Sequence, residues 1–219
     1  MVHGINATEA GYMLIPMMVG MMGTSIWTGI RISNTGKYKL FPPIGMVVTF
    51  VALIFFARME VSTTLWQIGI YLFVLGVGLG LAMQVLVLIV QNTLPTAVVG
   101  SATAVNNFFR QIGSSLGSAL VGGMFVGNLG TLMEERMPAA MAQLSPEEQA
   151  AMAAQGGLDS NELTPAIVNQ LPTVLHDAFA GSYNDALIPV FYVMMPLIGI
   201  ALLLLLFIKQ EKLRETTTD

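Results

Sequence analysis

Apolar residues run along this chain in long continuous stretches and do not alternate with polar ones. No charge occurs in 10–30, 40–57, 61–109, 111–133 or 186–208. A helix needs about 20 apolar residues to cross ~30 Å of hydrocarbon, and each stretch is close to or above that length. The stretch 61–109 is too long for one helix. It is broken by Asn92-Thr93-Leu94-Pro95 and by Gly100-Ser101, which read as a turn. The pattern predicts five helical spans, over about 10–30, 40–57, 65–90, 102–128 and 186–208. Membrane strands are excluded, because they are shorter and alternate in polarity. Met1-Val2-His3-Gly4 carries no positive charge ahead of the first apolar run, so the start does not read as a signal peptide.

Composition agrees with an all-α polytopic membrane protein. Hydrophobic residues make up 54% and charged residues 10%, against roughly 25% charged in soluble domains. Mean hydropathy is +0.71. Disorder is excluded by the same numbers. A net charge of −4 without a basic stripe argues against a nucleic-acid partner. The lack of cysteine removes disulfides, thiolate metal sites and Cys nucleophiles.

The distribution of Lys and Arg sets an expected orientation. One side of the membrane receives Arg31, Lys37, Lys39, Lys209, Lys212 and Arg214, and the other only Arg58 and Arg136. The first side is expected to be cytoplasmic. The N-terminus is then outside, and the tail 209–219 inside. Residues 129–185 form one large extracytoplasmic loop. Within it, Ser145-Pro146-Glu147-Glu148 reads as a helix start. Ala150 to Gln155 would continue that helix, and 166–180 would form a second short one at the membrane surface. The loop reads either as a lid over a vestibule or as a tolerated insertion.

Polar groups inside spans are the functional pointers, because hydrocarbon penalises them. Asn106, Arg110, Gly113 and Gly117 share one face of the fourth span, and Asn107, Gln111, Ser114 and Ser118 the adjoining one. Arg110 either faces an aqueous cavity or snorkels to the interface. The neighbouring Asn106 and Asn107 favour the cavity. Gln84 and Gln91 share a face of the third span and read either as cavity lining or as interhelical hydrogen-bond partners. Small residues recur at four-residue spacing, as in Gly113/Gly117, Ser118/Gly122 and Gly123/Gly127, a helix-packing pattern. Gly76, Gly78 and Gly80 lie in an apolar run with no preceding strand and are not a nucleotide fingerprint. The 16 methionines suit a greasy adaptable pocket, or simply lipid contact and gap filling. No enzyme, metal site or cofactor is expected. The predicted spans contain no His, Asp, Glu or Lys, and His3 and His176 lack partners at metal spacing.

Several segments together carry a family resemblance. Asn6-Ala7-Thr8-Glu9-Ala10-Gly11 with Leu14-Ile15-Pro16-Met17-Met18-Val19-Gly20 resembles the "SATQAGLLLLPMMLG" stretch of major facilitator superfamily drug:proton antiporters of the fourteen-span EmrB/QacA-like branch. Residues 29–39 resemble that branch's short cytoplasmic loop, with Gly29, Arg31, Gly36, Lys37 and Lys39 at its motif positions and Gly36-Lys37-Tyr38 in place of "GRY". Ser33 departs from the pattern, which has an acidic residue there. Met83-Gln84 through Gln91-Asn92 is similar to its "MQ…VQN" helix. Gly100-Ser101-Ala102-Thr103 with Asn106-Asn107-Phe108-Phe109-Arg110-Gln111-Ile112-Gly113 is similar to "G-x-AT-x-x-x-NFFRQ-x-G". Tyr183 to Phe191 resembles the start of the last span.

The resemblance implies the last five spans of a multidrug efflux permease in the bacterial inner membrane. Such a permease would export an amphipathic small molecule in exchange for protons, by alternating access between two halves. The N-terminal half would then be a required partner, alongside the bilayer, the substrate and protons. Gln84, Gln91, Asn106, Asn107, Arg110 and Gln111 would line or gate the cavity without carrying protons. The competing readings are a truncated or accessory membrane protein without transport of its own, and an exporter of a defined metabolite.

Overall fold

A computed structural model describes residues 5–149, 168 and 171–208. The described residues are helical, with no strand among them. Among the described residues the main helices are α1 (Ala7–Tyr12), α2 (Ile15–Thr35), α3 (Phe41–Ala57), α4 (Leu65–Thr93), α5 (Thr96–Met141) and α6 (Thr173–Leu206). Among the described residues, four stretches are long and apolar enough to cross a membrane: Thr8–Thr35, Leu65–Thr93, Thr96–Met141 and Thr173–Leu206. The apolar α3 has 17 residues, about 26 Å at 1.5 Å per residue.

Local chemistry sets the helix ends. Asn6 and Glu9 cap α1 reciprocally at 3.0 and 2.9 Å. α2 stops at Gly36, whose φ of 68° lies in the left-handed region open to glycine; its N–H donates to the Ile32 carbonyl at 2.8 Å. Phe41-Pro42-Pro43 starts α3, since proline is tolerated in a first helical turn. The Gln67 side chain accepts from the Thr64 N–H at 2.9 Å at the start of α4. Pro95 ends the turn out of α4, and α5 begins directly after it.

Two helices are longer than the hydropathy pattern predicts. α5 begins at Thr96, not near 102, because Gly100-Ser101 lies inside the helix and Pro95 alone makes the break. It continues past 128 through Glu134, Glu135 and Arg136 to Met141. Its 46 residues measure about 69 Å, far beyond ~30 Å of hydrocarbon. Residues 173–180, expected within a separate short helix at the membrane surface, instead open α6 without a break before 186. Pro172 precedes this helix, and nothing in 173–185 interrupts it. Ser145 does start a helical turn at 146–149, while Ala150 to Gln155, His3 and the tail 209–219 lie outside the described residues.

α4 is the central helix, packed between α2 and α3. α6 packs on α3 and α5, and α5 touches α4 only slightly. Glycines make the close approaches. A Cβ on Gly76 would collide with the Met17 carbonyl, one on Gly78 with the Thr49 hydroxyl, and one on Gly80 with the Thr24 hydroxyl and Met21 carbonyl. From the other side, Gly20 and Gly45 leave no room against the carbonyls of Phe73 and Gly78, each 2.6 Å from a would-be Cβ. Close contact lets polar groups bond between helices: Thr24 Oγ1 reaches the Val77 carbonyl at 3.3 Å, and Ser25 Oγ the Gly80 carbonyl at 3.2 Å. Gly113, Gly117, Gly122 and Gly123, by contrast, face no atom within 4 Å among the described residues. The only buried residues of α5 are Met137 and Ala140, near its far end.

Candidate functional site

A cavity of about 310 Å³ opens between α2 and α4, toward the end of the bundle that carries the 36–40 loop. α2 contributes Thr28, Gly29, Ile32 and Ser33, and α4 contributes Gln84, Val85, Val87, Leu88 and Gln91. The spacing of seven between the glutamines sets both on one face of α4, about 10 Å apart along its axis. Both are exposed, so their amides are open to whatever fills the space. Ile32 and Val85 are buried beneath it and pack with Tyr38.

Tyr38 belongs to the loop motif. It is fully buried, held in this position by the chain reversal at Gly36, and it closes the apolar floor with Phe41, Leu88 and Ile89. The other motif residues stay at the surface. Arg31 lies over the Trp27 ring at 5.7 Å, and Trp27 meets Phe41 edge-on at 5.9 Å. Lys37 is exposed and Lys39 half-buried. Ser33 lines the cavity where the family pattern has an acid.

Thr28 was not singled out by the sequence. It is 1% exposed, and its hydroxyl has no hydrogen-bond partner. Hydroxyls inside helices ordinarily bond back to the carbonyl four residues earlier. Thr24, Thr35, Thr49, Thr93, Thr131 and Ser182 all do so here, at 2.6–3.2 Å. Thr28 does not, although it lies on the same helix as Thr24. A buried polar group left unpaired costs about 1–3 kcal/mol, and Thr28 carries such a group among the described residues. The signal in the sequence was faint: one more threonine in an apolar run.

The polar stripe of α5 stands apart from this cavity. Asn106 is half-buried, and Asn107, Arg110 and Gln111 are exposed. Among the described residues no carboxylate pairs with Arg110. Thr103, on the same helix, also has a buried hydroxyl without a partner. The structure therefore brings Gln84 and Gln91 together in one cavity and leaves Asn106, Asn107, Arg110 and Gln111 outside it. No cluster of three or more His, Cys, Asp or Glu suited to a metal exists among the described residues.

At the opposite end of the bundle, α6 is tied to its neighbours by polar and aromatic contacts. Arg136 pairs with Asp185 at 2.7 Å. Asn184 donates to the Met59 carbonyl at 3.2 Å, and Asn128 to the Ala186 carbonyl at 3.2 Å. Phe125 meets Tyr183 edge-on at 4.9 Å, and Phe56 stacks on Phe191 at 5.4 Å.

Comparison with known proteins agrees with this architecture. The family model for the Major Facilitator Superfamily matches residues 1–118. The chain is 33% identical over 218 residues to an uncharacterized MFS-type transporter of Mycobacterium tuberculosis, covering 100% of this chain and 30% of the relative. It is 28% identical over 224 residues to the multidrug transporter protein MdtP of Bacillus subtilis, covering 96% and 41%. It is 30% identical over 205 residues to a tetracycline resistance determinant of Streptomyces rimosus, covering 86% and 59%. The chain thus spans between 30% and 59% of the length of these relatives. No solved structure gives a significant match. With the family model covering more than half of its length and its helices arranged as membrane spans, the chain belongs to the Major Facilitator Superfamily.

Proposed function

We propose that this chain is the C-terminal part of a permease of the fourteen-span drug:proton antiporter branch. It exports amphipathic small molecules in exchange for protons, by alternating access. The observation that carries the proposal is the likeness along nearly the whole chain to a protein named as a multidrug transporter. A largely apolar cavity between two membrane helices, with Gln84 and Gln91 among its lining, supports it. In this reading the protein lies in the bacterial inner membrane with its N-terminus outside. Gln84 and Gln91 contact substrate. Asn106, Arg110, Gly113 and Gly117 form the α5 face that meets the other half, with Asn107 and Gln111 on the adjoining face. Proton carriage belongs to residues outside this chain.

The alternative is a truncated or accessory membrane protein without transport of its own. One experiment separates the two. The gene is deleted in its own host, and accumulation of Nile red (an uncharged amphipathic dye) is followed in energised cells. Raised accumulation, abolished as a difference when a protonophore is added, supports the export reading. Equal accumulation in both strains, with a tagged product running near 23.5 kDa, supports the accessory one.

A further inference from the structure

We propose that the corner between the end of α2 and the start of α3 binds the headgroup of an anionic glycerophospholipid. Arg31, Lys37 and Lys39 hold the phosphate, and Trp27 lies beside the upper part of an acyl chain. The depth of the corner comes first. With 17 residues, α3 is about 26 Å long, no longer than the hydrocarbon it would cross. Phe41, at its start, therefore lies at the membrane boundary. The Trp27 ring meets Phe41 edge-on at 5.9 Å, so it lies at the same level. Its exposure is 51%. Tryptophan at this depth sits among headgroups and upper chains.

The charges stand just beyond it. Arg31 is exposed, with its guanidinium 5.7 Å from the centre of the Trp27 ring. A guanidinium held over a ring face keeps N–H donors at its edge. Those donors match two oxygens of one phosphate. The turn that follows adds Lys37 and Lys39. Tyr38, between them, is fully buried with Ile32 and Val85, which pins the turn. The sequence has no acid between Glu9 and Glu60, so the three cations of 31–39 act on a ligand in the same sense. Basic side chains at a membrane surface draw anionic lipid, each adding to the last. Ile30, Leu40 and Ile44 are exposed on the flanking surfaces of the two helices and suit acyl chains. That favours a lipid over a free anion. A phosphatidylcholine phosphate already carries its own cation and gains less here. The inference rests on the proposed orientation only in placing this lipid in the cytoplasmic leaflet.

The test uses the two tryptophans, Trp27 and Trp66. Trp66→Phe leaves Trp27 as the sole reporter, and Trp27→Phe leaves Trp66, at the far end of α4, as the control. Each protein is reconstituted in phosphatidylcholine bilayers, and quenching by chain-brominated phosphatidylglycerol is compared with quenching by chain-brominated phosphatidylcholine. Trp27 is expected to show preferential binding of phosphatidylglycerol, reduced by added salt, and Trp66 equal quenching by both. Arg31→Gln should lower the preference at Trp27 about fivefold, the scale of one basic side chain at an anionic surface. Arg31→Lys, with a point charge in place of the fork, should fall between. If Arg31→Gln fails to reach the membrane, Lys37→Gln with Lys39→Gln replaces it, with the preference again reduced. Equal quenching of Trp27 by both lipids, an unchanged preference in Arg31→Gln, or the same preference at Trp66 would overturn the proposal. So would full loss of the preference on adding inorganic phosphate at matched ionic strength, which would assign the corner to a free anion. A Trp27 that neither lipid quenches would mean that protein covers the corner, and would overturn it too. Quenching requires no transport. A preference at Trp27 without dye export contradicts the export reading alone, and export without the preference contradicts this one alone.

Discussion

Arg136 on α5 donates to Asp185 on α6 at 2.7 Å, an ion pair that joins two long helices near the ends remote from the cavity. Both side chains are about two-fifths exposed, so the pair itself is worth no more than about 1 kcal/mol. Its value is positional. It sits beside the Phe125–Tyr183 and Asn128–Ala186 contacts and fixes the register between the helices. Arg136→Ala is expected to lower the thermal midpoint of the purified protein slightly. Exchanging the charges, as Arg136→Asp with Asp185→Arg, should restore most of it. Phe125→Ala should cost more than Arg136→Ala, since an aromatic pair loses both area and ring contact. The reverse order in a melting series would contradict this account of the joint.

The glycines divide into two groups with opposite expectations. Gly78→Ala and Gly80→Ala place a methyl where the Thr49 or Thr24 hydroxyl already stands. Overpacking of this kind costs about 1–3 kcal/mol. Gly113→Ala and Gly117→Ala meet no atom among the described residues and should leave the melting midpoint of this chain alone unchanged or raised. If their face docks the other half, the same two variants should still reduce export. A melting series on the four variants, with export measured in parallel, checks both statements.

Much of this architecture was legible in the sequence, for a specific reason. Hydrocarbon tolerates few charges, so the gaps between Glu9 and Arg31 or between Asp185 and Lys209 mark where spans fall. Hydropathy does not report helix continuity. Glu134, Glu135 and Arg136 end an apolar run without ending α5, and α6 starts at Thr173 although its apolar part starts later. The shared face of Gln84 and Gln91 followed from their spacing. Their meeting with Thr28 depends on how α2 and α4 rotate against each other, which neither helix encodes alone. The packing role of Gly76, Gly78 and Gly80 shows only once Met17, Thr24 and Thr49 are placed opposite them.

Outside the membrane segments, Glu148 gives a prediction about pH. Its carboxylate accepts from the Ser145 hydroxyl at 2.7 Å and from the Ser145 N–H at 2.9 Å. These bonds hold its pKa below the ordinary value of 4.5, the side-chain bond most strongly. A carboxyl with a lowered folded-state pKa stabilises the folded turn above its unfolded value, and that contribution disappears as pH falls through the folded one. The helical turn at 146–149 should therefore remain capped at pH 4.5 and loosen below it. A carbon-13 carboxyl titration should place Glu148 under 4.5, and Ser145→Ala should move it back up. A midpoint at or above 4.5 in the unmodified chain would contradict the cap.

Arg110 lies on a face that no other described residue covers, with no carboxylate beside it. If that face meets a cavity shared with the other half, Arg110→Ala should reduce export severalfold while membrane insertion stays normal. Arg110→Lys, which keeps charge but loses the planar fork of donors, should fall between. Wild-type export in Arg110→Ala would place this arginine at the interface with lipid headgroups.

Proton-driven movement of substrate is the central claim, and everted membrane vesicles measure it most directly. Nile red uptake is followed as respiration acidifies the vesicle interior, with Gln84→Ala and a gene-deleted strain alongside. The account predicts uptake in wild-type vesicles that collapses when nigericin removes the pH gradient, reduced uptake in Gln84→Ala, and none above background in the deletion. Uptake equal in all three, or wild-type uptake indifferent to the gradient, would contradict it.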